Sequence, residues 1–166
     1  IPPQAVDLEE VVLGALMLEK NAVNAVIDML TPEVFYKETH QIIFTAIKDL
    51  FGKSEPIDIL TVTNQLKSMG ALDVVGGPYY ISQLTNRVVS SANIEYHARI
   101  ILQKYIQRQL IVVSSEIIKD AYEEELTTYS NVVDSLSVES KDTIDDLMNG
   151  LILEEALNYY EQHLDL

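Results

Sequence analysis

The chain has 166 residues, of which 48% are hydrophobic, and this length and composition fit one folded domain, with room for an appendage. Its 26 acidic residues outnumber its 11 basic ones and give a net charge of −15. This charge argues against binding to nucleic-acid phosphates or to an anionic membrane by this chain alone, because such binding uses clustered lysines and arginines. The absence of cysteine excludes a disulfide scaffold, a cysteine-based metal site and a cysteine nucleophile.

The acidic residues are concentrated at the C-terminal end. Residues 1–119 hold 13 acidic and 10 basic residues, whereas residues 120–166 hold 13 acidic residues and a single basic one, Lys141. No apolar run approaches the ~20 residues that cross a bilayer, and the first residues lack the pattern of a signal peptide. The sequence therefore predicts a cytoplasmic protein with no membrane contact.

Apolar residues recur at helical spacing along nearly the whole chain, so the predicted fold class is all-α. The first helix is predicted to begin at Asp7, as its N-cap, and a second, short one runs from Asn21 to Leu30. Thr31, Pro32 and Glu33 then have the order typical of another helix start. The predicted apolar face of the first helix consists of Leu8, Val11, Val12, Ala15, Leu16 and Leu18.

Four more helices are predicted before residue 125. One covers residues 40–50, the next is capped by Asp58 and ends before Gly70, and a short one covers residues 79–85 after a break at Gly76-Gly77-Pro78. The inward positions of the capped helix are predicted to be Val62, Leu66 and Met69. The longest predicted helix starts at Ile94 and reaches about Glu124 without glycine or proline.

The long predicted helix is longer than a compact head needs. The apolar side chains near its C-terminal end must therefore pack against another part of the protein. Residues 126–148 are predicted to fold back on it as an αα-hairpin, and Gly150 precedes a last short helix. The predicted architecture is a compact helical head followed by a long helix and an αα-hairpin, with a short C-terminal linker helix. The predicted segments are a helical head over 1–108, a helical hairpin over 109–149 and a linker helix over 150–166.

A two-helix hairpin buries little apolar surface by itself, and this predicts that a second subunit covers its apolar face. The candidate oligomer interface consists of Tyr122, Leu126, Val133, Leu136, Ile144 and Leu147.

Residues that could carry chemistry do not form a convincing site. Gly52-Lys53-Ser54 resembles the end of a phosphate-binding loop, but Ile47 stands where that motif requires glycine, and a helix precedes it. The end of a helix is therefore the favoured interpretation. The three histidines, His40, His97 and His163, lack the spacing of a helical zinc site. His40 is predicted to join an aromatic packing cluster with Phe35, Tyr36 and Phe44.

Acidic and tyrosine side chains are abundant, but their pattern is typical of surfaces and interfaces. Adjacent acids such as Glu9-Glu10 and Asp145-Asp146 are predicted to be solvated rather than catalytic. The tyrosines could stack on bases, but Lys104 and Arg108 are the only basic pair near them, so core and interface positions are favoured. The sequence thus predicts no catalytic, cofactor or metal site.

Several sequence segments, taken in order, resemble the N-terminal domain of the bacterial replicative DNA helicase of the DnaB type. The resemblance covers about residues 2–120, and the set in order is specific although each segment alone is weak. The segments are Pro2-Pro3-Gln4-Ala5-Val6-Asp7-Leu8-Glu9-Glu10, Val12-Leu13-Gly14-Ala15-Leu16-Met17-Leu18, Phe35-Tyr36 with His40 and Ile43-Phe44, Pro56-Ile57-Asp58-Ile59-Leu60-Thr61-Val62, Gln65-Leu66, Met69-Gly70, Val75-Gly76-Gly77 with Tyr80, and Ala92-Asn93-Ile94-Glu95-Tyr96-His97-Ala98-Arg99-Ile100-Ile101 with Arg108.

This resemblance implies a non-catalytic, all-α collar domain of a replicative helicase. In that family helical hairpins pair the subunits, the ring is a trimer of dimers, and the collar docks the primase C-terminal domain. The resemblance also implies that ATP and Mg²⁺ are used, and DNA is engaged, only by a separate RecA-like motor, whose phosphate-binding motif this sequence lacks. The alternative interpretation is a stand-alone adaptor or inhibitor of the same fold that binds primase or the helicase ring.

Overall fold

The structure is a computed structural model that describes residues 1–88 and 93–122. In these ranges the chain forms six α-helices and one 3-10 helix and contains no strand, which confirms the all-α prediction. The 3-10 helix, Pro32–Val34, begins with proline as the sequence predicted. The α-helices are α1 (Val6–Leu18), α2 (Ala22–Val26), α3 (Glu38–Gly52), α4 (Ile59–Ser68), α5 (Gly77–Asn86) and α6 (Ile94–Ala121).

The chain divides into two compact units, Ile1–Tyr105 and Ile106–Leu166, and the boundary falls inside α6. We call the first unit the head. The proposed split of the remainder into a hairpin (109–149) and a linker helix (150–166) lies largely outside the described residues and stays a prediction.

The core of the head is built from helix faces that the apolar spacing of the sequence identifies. Phe35 and Phe44 are fully buried, and their ring centroids lie 4.9 Å apart. The first turns of α6 contribute Ile94, Ala98 and Ile101 to the same core. Burying side chains of this size stabilises a fold by about 1.5–3 kcal/mol each. The largest fully buried side chains are Phe35, Phe44, Leu13, Leu16, Leu30, Ile43, Ile47, Leu50, Leu66, Ile81, Leu84 and Ile101.

Helix α1 packs directly against α5 and α3. At Gly14, in the middle of α1, a side chain would overlap the backbone carbonyl oxygen of Leu84, and its Cβ would lie 2.8 Å from Cγ2 of Val88. The two helices can approach this closely only because position 14 has no side chain. The close approach brings the acidic face of α1 within hydrogen-bonding distance of α5.

Several helix termini differ from the sequence-based expectations. Helix α2 ends at Val26, although the sequence predicted a helix through Leu30. Helix α1 begins at Val6 with Ala5 as its N-cap, and no side chain caps it, so Asp7 lies in the first turn instead. An acid in that turn still interacts favourably with the positive end of the helix. Met69 was expected to face inward, but it follows the last residue of α4 and is 39% exposed.

The N-terminus of α4 is capped as the sequence predicted. The Asp58 carboxylate accepts hydrogen bonds from the backbone N–H groups of Leu60 and Thr61, each at 2.9 Å. The Thr61 hydroxyl in turn accepts from the Asp58 N–H at 2.9 Å, which completes a capping box. Val62 and Leu66 of α4 are buried.

Replacing Asp58 with alanine is expected to lower the free energy of unfolding by about 1 kcal/mol, because the first N–H groups of α4 lose their acceptor. The change is measured by urea denaturation followed by circular dichroism. The control is Asp73→Ala, at an exposed acid in the α4–α5 loop, with an expected change within about 0.5 kcal/mol. Equal losses in the two variants would show that the capping box does not stabilise α4.

Candidate interaction surface and buried hydrogen-bond network

Apolar side chains are exposed on several sides of the C-terminal half of α6, where Leu110, Val112 and Ile117 are 54%, 50% and 40% exposed. Val113 is 7% exposed, whereas Ile111, Ile118 and Tyr122 are 53%, 58% and 85% exposed. These three residues follow one another at spacings of seven and four, which places them on one side of a helix. We call them the exposed stripe. Large apolar side chains that are exposed together on one face of a protein mark interaction sites.

The structure locates one member of the predicted oligomer interface. Tyr122 follows the last residue of α6 and belongs to the exposed stripe. The other predicted interface residues, Leu126, Val133, Leu136, Ile144 and Leu147, lie outside the described residues. Ile111 and Ile118 are not among the interface residues predicted from the sequence, although their spacing to Tyr122 could have identified them.

A network of polar side chains lies inside the head, where α1, α3 and α5 meet. Glu9 and His40 are 1% and 0% exposed, and Glu9 Oε2 lies 2.6 Å from His40 Nδ1. On its other side, His40 Nε2 lies 2.7 Å from the Tyr80 hydroxyl. The His40 and Tyr80 rings stack nearly parallel, with an interplanar angle of 11°. Three helices are therefore joined through one buried imidazole.

The Glu9 carboxylate also serves the start of α3, which has no side-chain cap from its own sequence. Its Oε1 accepts a hydrogen bond from the Tyr36 N–H at 2.6 Å, and its Oε2 accepts a longer one from the Lys37 N–H at 3.4 Å. A negative charge at this end of a helix is favourable because the helix dipole is positive there. Since a carboxylate can only accept hydrogen bonds, His40 Nδ1 carries a hydrogen and donates a hydrogen bond to Glu9 Oε2.

Tyr80 lies between the buried pair and the surface. Its hydroxyl is 3.3 Å from Glu10 Oε1 and 3.4 Å from the Lys37 ammonium nitrogen, which also lies 5.5 Å from the centre of the Tyr80 ring. Burial and then the nearby negative charge of Glu10 raise the pKa of Tyr80 to about 12. The phenol therefore stays protonated at neutral pH and can donate a hydrogen bond.

Glu10 completes the network at its outer edge. Glu10 Oε2 lies 3.0 Å from Nε of Arg87, the residue after α5. The Glu10 side chain is 10% exposed. The expectation that Glu9 and Glu10 form a solvated face is therefore wrong. A signal for the burial of Glu9 exists in the sequence, because Glu9 shares the helical spacing of Val12, Leu13 and Leu16 on the buried face of α1.

The network shows the features of a structural element rather than of an open catalytic site. Both members of the Glu9–His40 pair are sealed from solvent, and His40 is one of the buried residues of α3, as Ile43 and Phe44 are. In residues 1–88 and 93–122 no three histidine or acidic side chains come together in a way that could hold a metal ion. His97 lies on α6, and His163 falls outside the described residues.

Gly52-Lys53-Ser54 forms the end of α3, in agreement with the favoured interpretation. Gly52 is the last helical residue and Lys53 is the C-cap. Ser54 has a positive φ of 56°, as a residue in a tight turn after a helix does.

None of the helices in the part of the chain that the structure describes has the length and apolar character of a membrane span.

The helical fold is that of a domain found in replicative helicases. The sequence profile of the family described as "DnaB-like helicase N terminal domain" matches residues 1–103. The chain belongs to this family, and the resemblance seen in the sequence is confirmed.

Relatives with known sequences are replicative helicases of bacteria. The chain is 48% identical over 114 residues to the replicative DNA helicase DnaB of Rhodothermus marinus, a match that covers 69% of this chain and 12% of that protein. It is 38% identical over 144 residues to the replicative DNA helicase DnaC of Bacillus subtilis, covering 87% of this chain and 31% of that protein. The chain thus spans less than a third of the length of these relatives.

Solved structures share the fold. The crystal structure of the N-terminal domain of DnaB helicase from Mycobacterium tuberculosis superposes with a TM-score of 0.77 at 35% identity, covering 86% of this chain and 99% of that one. A second structure, described as a DnaB-like replicative helicase and its interactions with primase, gives a TM-score of 0.64 over 87% of this chain and 35% of that one. At 19% identity this second likeness concerns the fold alone.

Proposed function

We propose that this chain is a non-catalytic collar domain of a replicative DNA helicase, which holds helicase subunits together and docks primase during DNA replication. The family match over residues 1–103 supports the helicase assignment. The observation that carries the assembly function is the exposed stripe of α6, Ile111, Ile118 and Tyr122. Exposed apolar side chains that lie together on one face mark surfaces that bind another protein.

A second copy of the chain is the occupant proposed for the exposed stripe. The opposite face of the same helix segment already contains the buried Val113, so the stripe offers a second apolar face to a partner. Symmetric pairing of two such helices would bury both stripes at once. In the full helicase these pairs would form a hexameric ring as a trimer of dimers.

On this proposal the chemistry of the helicase resides elsewhere. ATP and Mg²⁺ would be bound by a RecA-like motor domain, and DNA would be engaged through the full helicase, in the bacterial cytoplasm. Primase would bind to the protein surface of the head, and nucleotide would be bound by the motor domain. A DnaB-like replicative helicase that shares this fold is known together with its interactions with primase, and the shared fold supports the same kind of partner here.

The assembly proposal predicts that the chain is a dimer or hexamer at micromolar concentration, as measured by size exclusion with light scattering. Ile118→Asp is expected to weaken association at least about tenfold, because it places an unpaired charge in an apolar interface. The control is Gln103→Asp, which adds the same charge at an exposed polar position of the same helix. A strictly monomeric wild-type chain, or equal effects of both substitutions, would contradict the proposed interface.

Docking of primase is tested separately by titrating the chain with the isolated C-terminal domain of a bacterial primase in a calorimeter. Binding that is retained by Gln103→Asp supports the proposal. If the chain assembles but gives no heat of binding with primase, the proposed collar function is supported and the proposed docking function is contradicted. An ATPase assay on the same sample is expected to give no turnover.

A further inference from the structure

The residues that lead into α3 are held in place by another helix. We call residues 35–37 the entry segment. The N–H of Tyr36 donates a hydrogen bond to Glu9 Oε1 at 2.6 Å, and the N–H of Lys37 donates one to Glu9 Oε2 at 3.4 Å. Lys37 is the N-cap residue of α3, and its side chain makes no capping bond. The acceptor of both N–H groups therefore belongs to α1, 27 and 28 residues earlier in the chain.

Both sides of this contact are fixed in the core. Glu9 is 1% exposed, and Leu13 and Leu16 of the same helix are fully buried. On the other side, Phe35 of the entry segment is fully buried, and its ring centroid lies 4.9 Å from that of Phe44. Neither α1 nor the entry segment can therefore move without a change in the packing of the head.

Buried polar groups connect the two movements. If the entry segment left its place while α1 stayed, the Glu9 carboxylate would remain buried and lose two of its donors. If α1 left while the entry segment stayed, the N–H groups of Tyr36 and Lys37 would lose their acceptor. A buried donor or acceptor without a partner disfavours the state that contains it by about tenfold to a hundredfold.

We propose that Glu9 makes α1 and the entry segment one opening unit of the head: the N–H groups of Tyr36 and Lys37 become accessible to solvent only when α1 separates from the head. Native proteins open locally in cooperative units of this kind. The unit combines the first helix of the chain with backbone that is distant in sequence. It is a property of the head and does not depend on the assembly proposed above.

The opening unit reaches the protein surface through the side chains of the entry segment. Tyr36 is 37% exposed, and the Lys37 ammonium lies 5.5 Å from the centre of the Tyr80 ring. When α1 separates, these two side chains lose the backbone contacts that position them. A partner that binds Tyr36 and Lys37 in their present positions would therefore stabilise the packed position of α1, because binding to one state favours that state.

Native-state hydrogen exchange of the whole chain tests the coupling without any substitution. Exchange of the backbone amides of Tyr36, Lys37, Leu13 and Leu16 is followed by NMR at neutral pH and at rising urea concentrations below the unfolding transition. We expect the opening free energies of the four amides to fall with urea along one line, because the same opening exposes the same surface. Exchange of Tyr36 and Lys37 that is independent of urea would overturn the proposal, since it would show that the entry segment opens alone.

Gly14→Ala loosens α1 at a point away from the entry segment, because the atoms nearest to an added Cβ belong to α5 and to Val88. This substitution is expected to speed amide exchange in α1 about a hundredfold. The amides of Tyr36 and Lys37 are expected to change by the same factor. Gly52→Ala, where a Cβ meets nothing within 4 Å, is the control and should leave all these rates within about twofold. A large change in α1 with none in the entry segment would contradict the coupling.

Glu9→Gln tests whether this carboxylate is the connection. The amide has one acceptor oxygen in place of two, so it cannot hold both N–H groups of the entry segment. At least one of the two is expected to exchange about tenfold faster than the amides of α1 in the same variant. Glu10→Gln is the matched control, because Glu10 contacts Tyr80 and Arg87 instead, and there the entry segment should still follow α1. If the entry segment follows α1 equally well in Glu9→Gln, the proposal is wrong.

Discussion

Replacing Glu9 with alanine is expected to lower the free energy of unfolding by about 3–5 kcal/mol, because one substitution removes the acceptor of several buried donors. His40 Nδ1 and the N–H groups of Tyr36 and Lys37 all point at this carboxylate. No water can reach His40, which is fully buried. Since domains of this size are stable by about 5–15 kcal/mol, the variant is close to the limit of folding.

Glu9→Gln keeps the measurement possible if the alanine variant does not fold. Its amide oxygen can accept one of the donors, but its NH₂ group must then face another donor, so an intermediate loss is expected. The matched control is Asp7→Ala, at an exposed acid in the first turn of the same helix, with an expected loss of about 0.5 kcal/mol. Urea denaturation followed by circular dichroism measures all three; similar losses for Glu9 and Asp7 would show that the network adds no stability.

Gly14→Ala is expected to destabilise the head by about 3 kcal/mol, although alanine is normally the better helix former. The added Cβ would overlap the backbone carbonyl oxygen of Leu84 and lie 2.7 Å from its carbonyl carbon. Backbone atoms cannot rotate away as a flexible side chain can, so α1 and α5 would have to separate. That separation would also lengthen the contacts of Tyr80 and Arg87 with Glu10.

Gly52→Ala is the control for this substitution. Gly52 is the last residue of α3, and a Cβ there would meet nothing within 4 Å. The alanine variant is therefore expected to be as stable as the wild type or more stable by about 0.5 kcal/mol. Thermal denaturation of both variants measures the effect. If the Gly14→Ala and Gly52→Ala chains have the same melting temperature, the close approach of α1 and α5 is contradicted.

Local signals in the sequence were sufficient to predict the helices of the head. Asp58 with Thr61 marks the start of α4, Pro32 marks the 3-10 helix, and a stretch without glycine or proline marks α6. These features act over a few residues and depend little on the rest of the chain. The all-α class and the family therefore followed from the sequence alone.

The buried network could not be predicted in the same way, because its partners are far apart in the sequence. Two adjacent acids such as Glu9 and Glu10 are normally solvated, and their burial depends on contacts with residues 27 to 31 positions away for Glu9 and 70 for Glu10. The helical spacing of Glu9 with Leu13 and Leu16 predicts which way it faces but not what it meets. The proposed interface residues after Tyr122 remain a prediction, because they lie outside the residues that the structure describes.

The separation in sequence between Glu10 and its partners also affects the order in which the head can fold during synthesis. Tyr80 and Arg87 are made 70 or more residues after Glu10, and a ribosome adds about 5–20 residues each second. For several seconds α1 can therefore contact α3, but α5 has not yet been made. The docking of α1 on α5 has to wait until α5 is made, and until then Glu10 of α1 lacks its partner on α5.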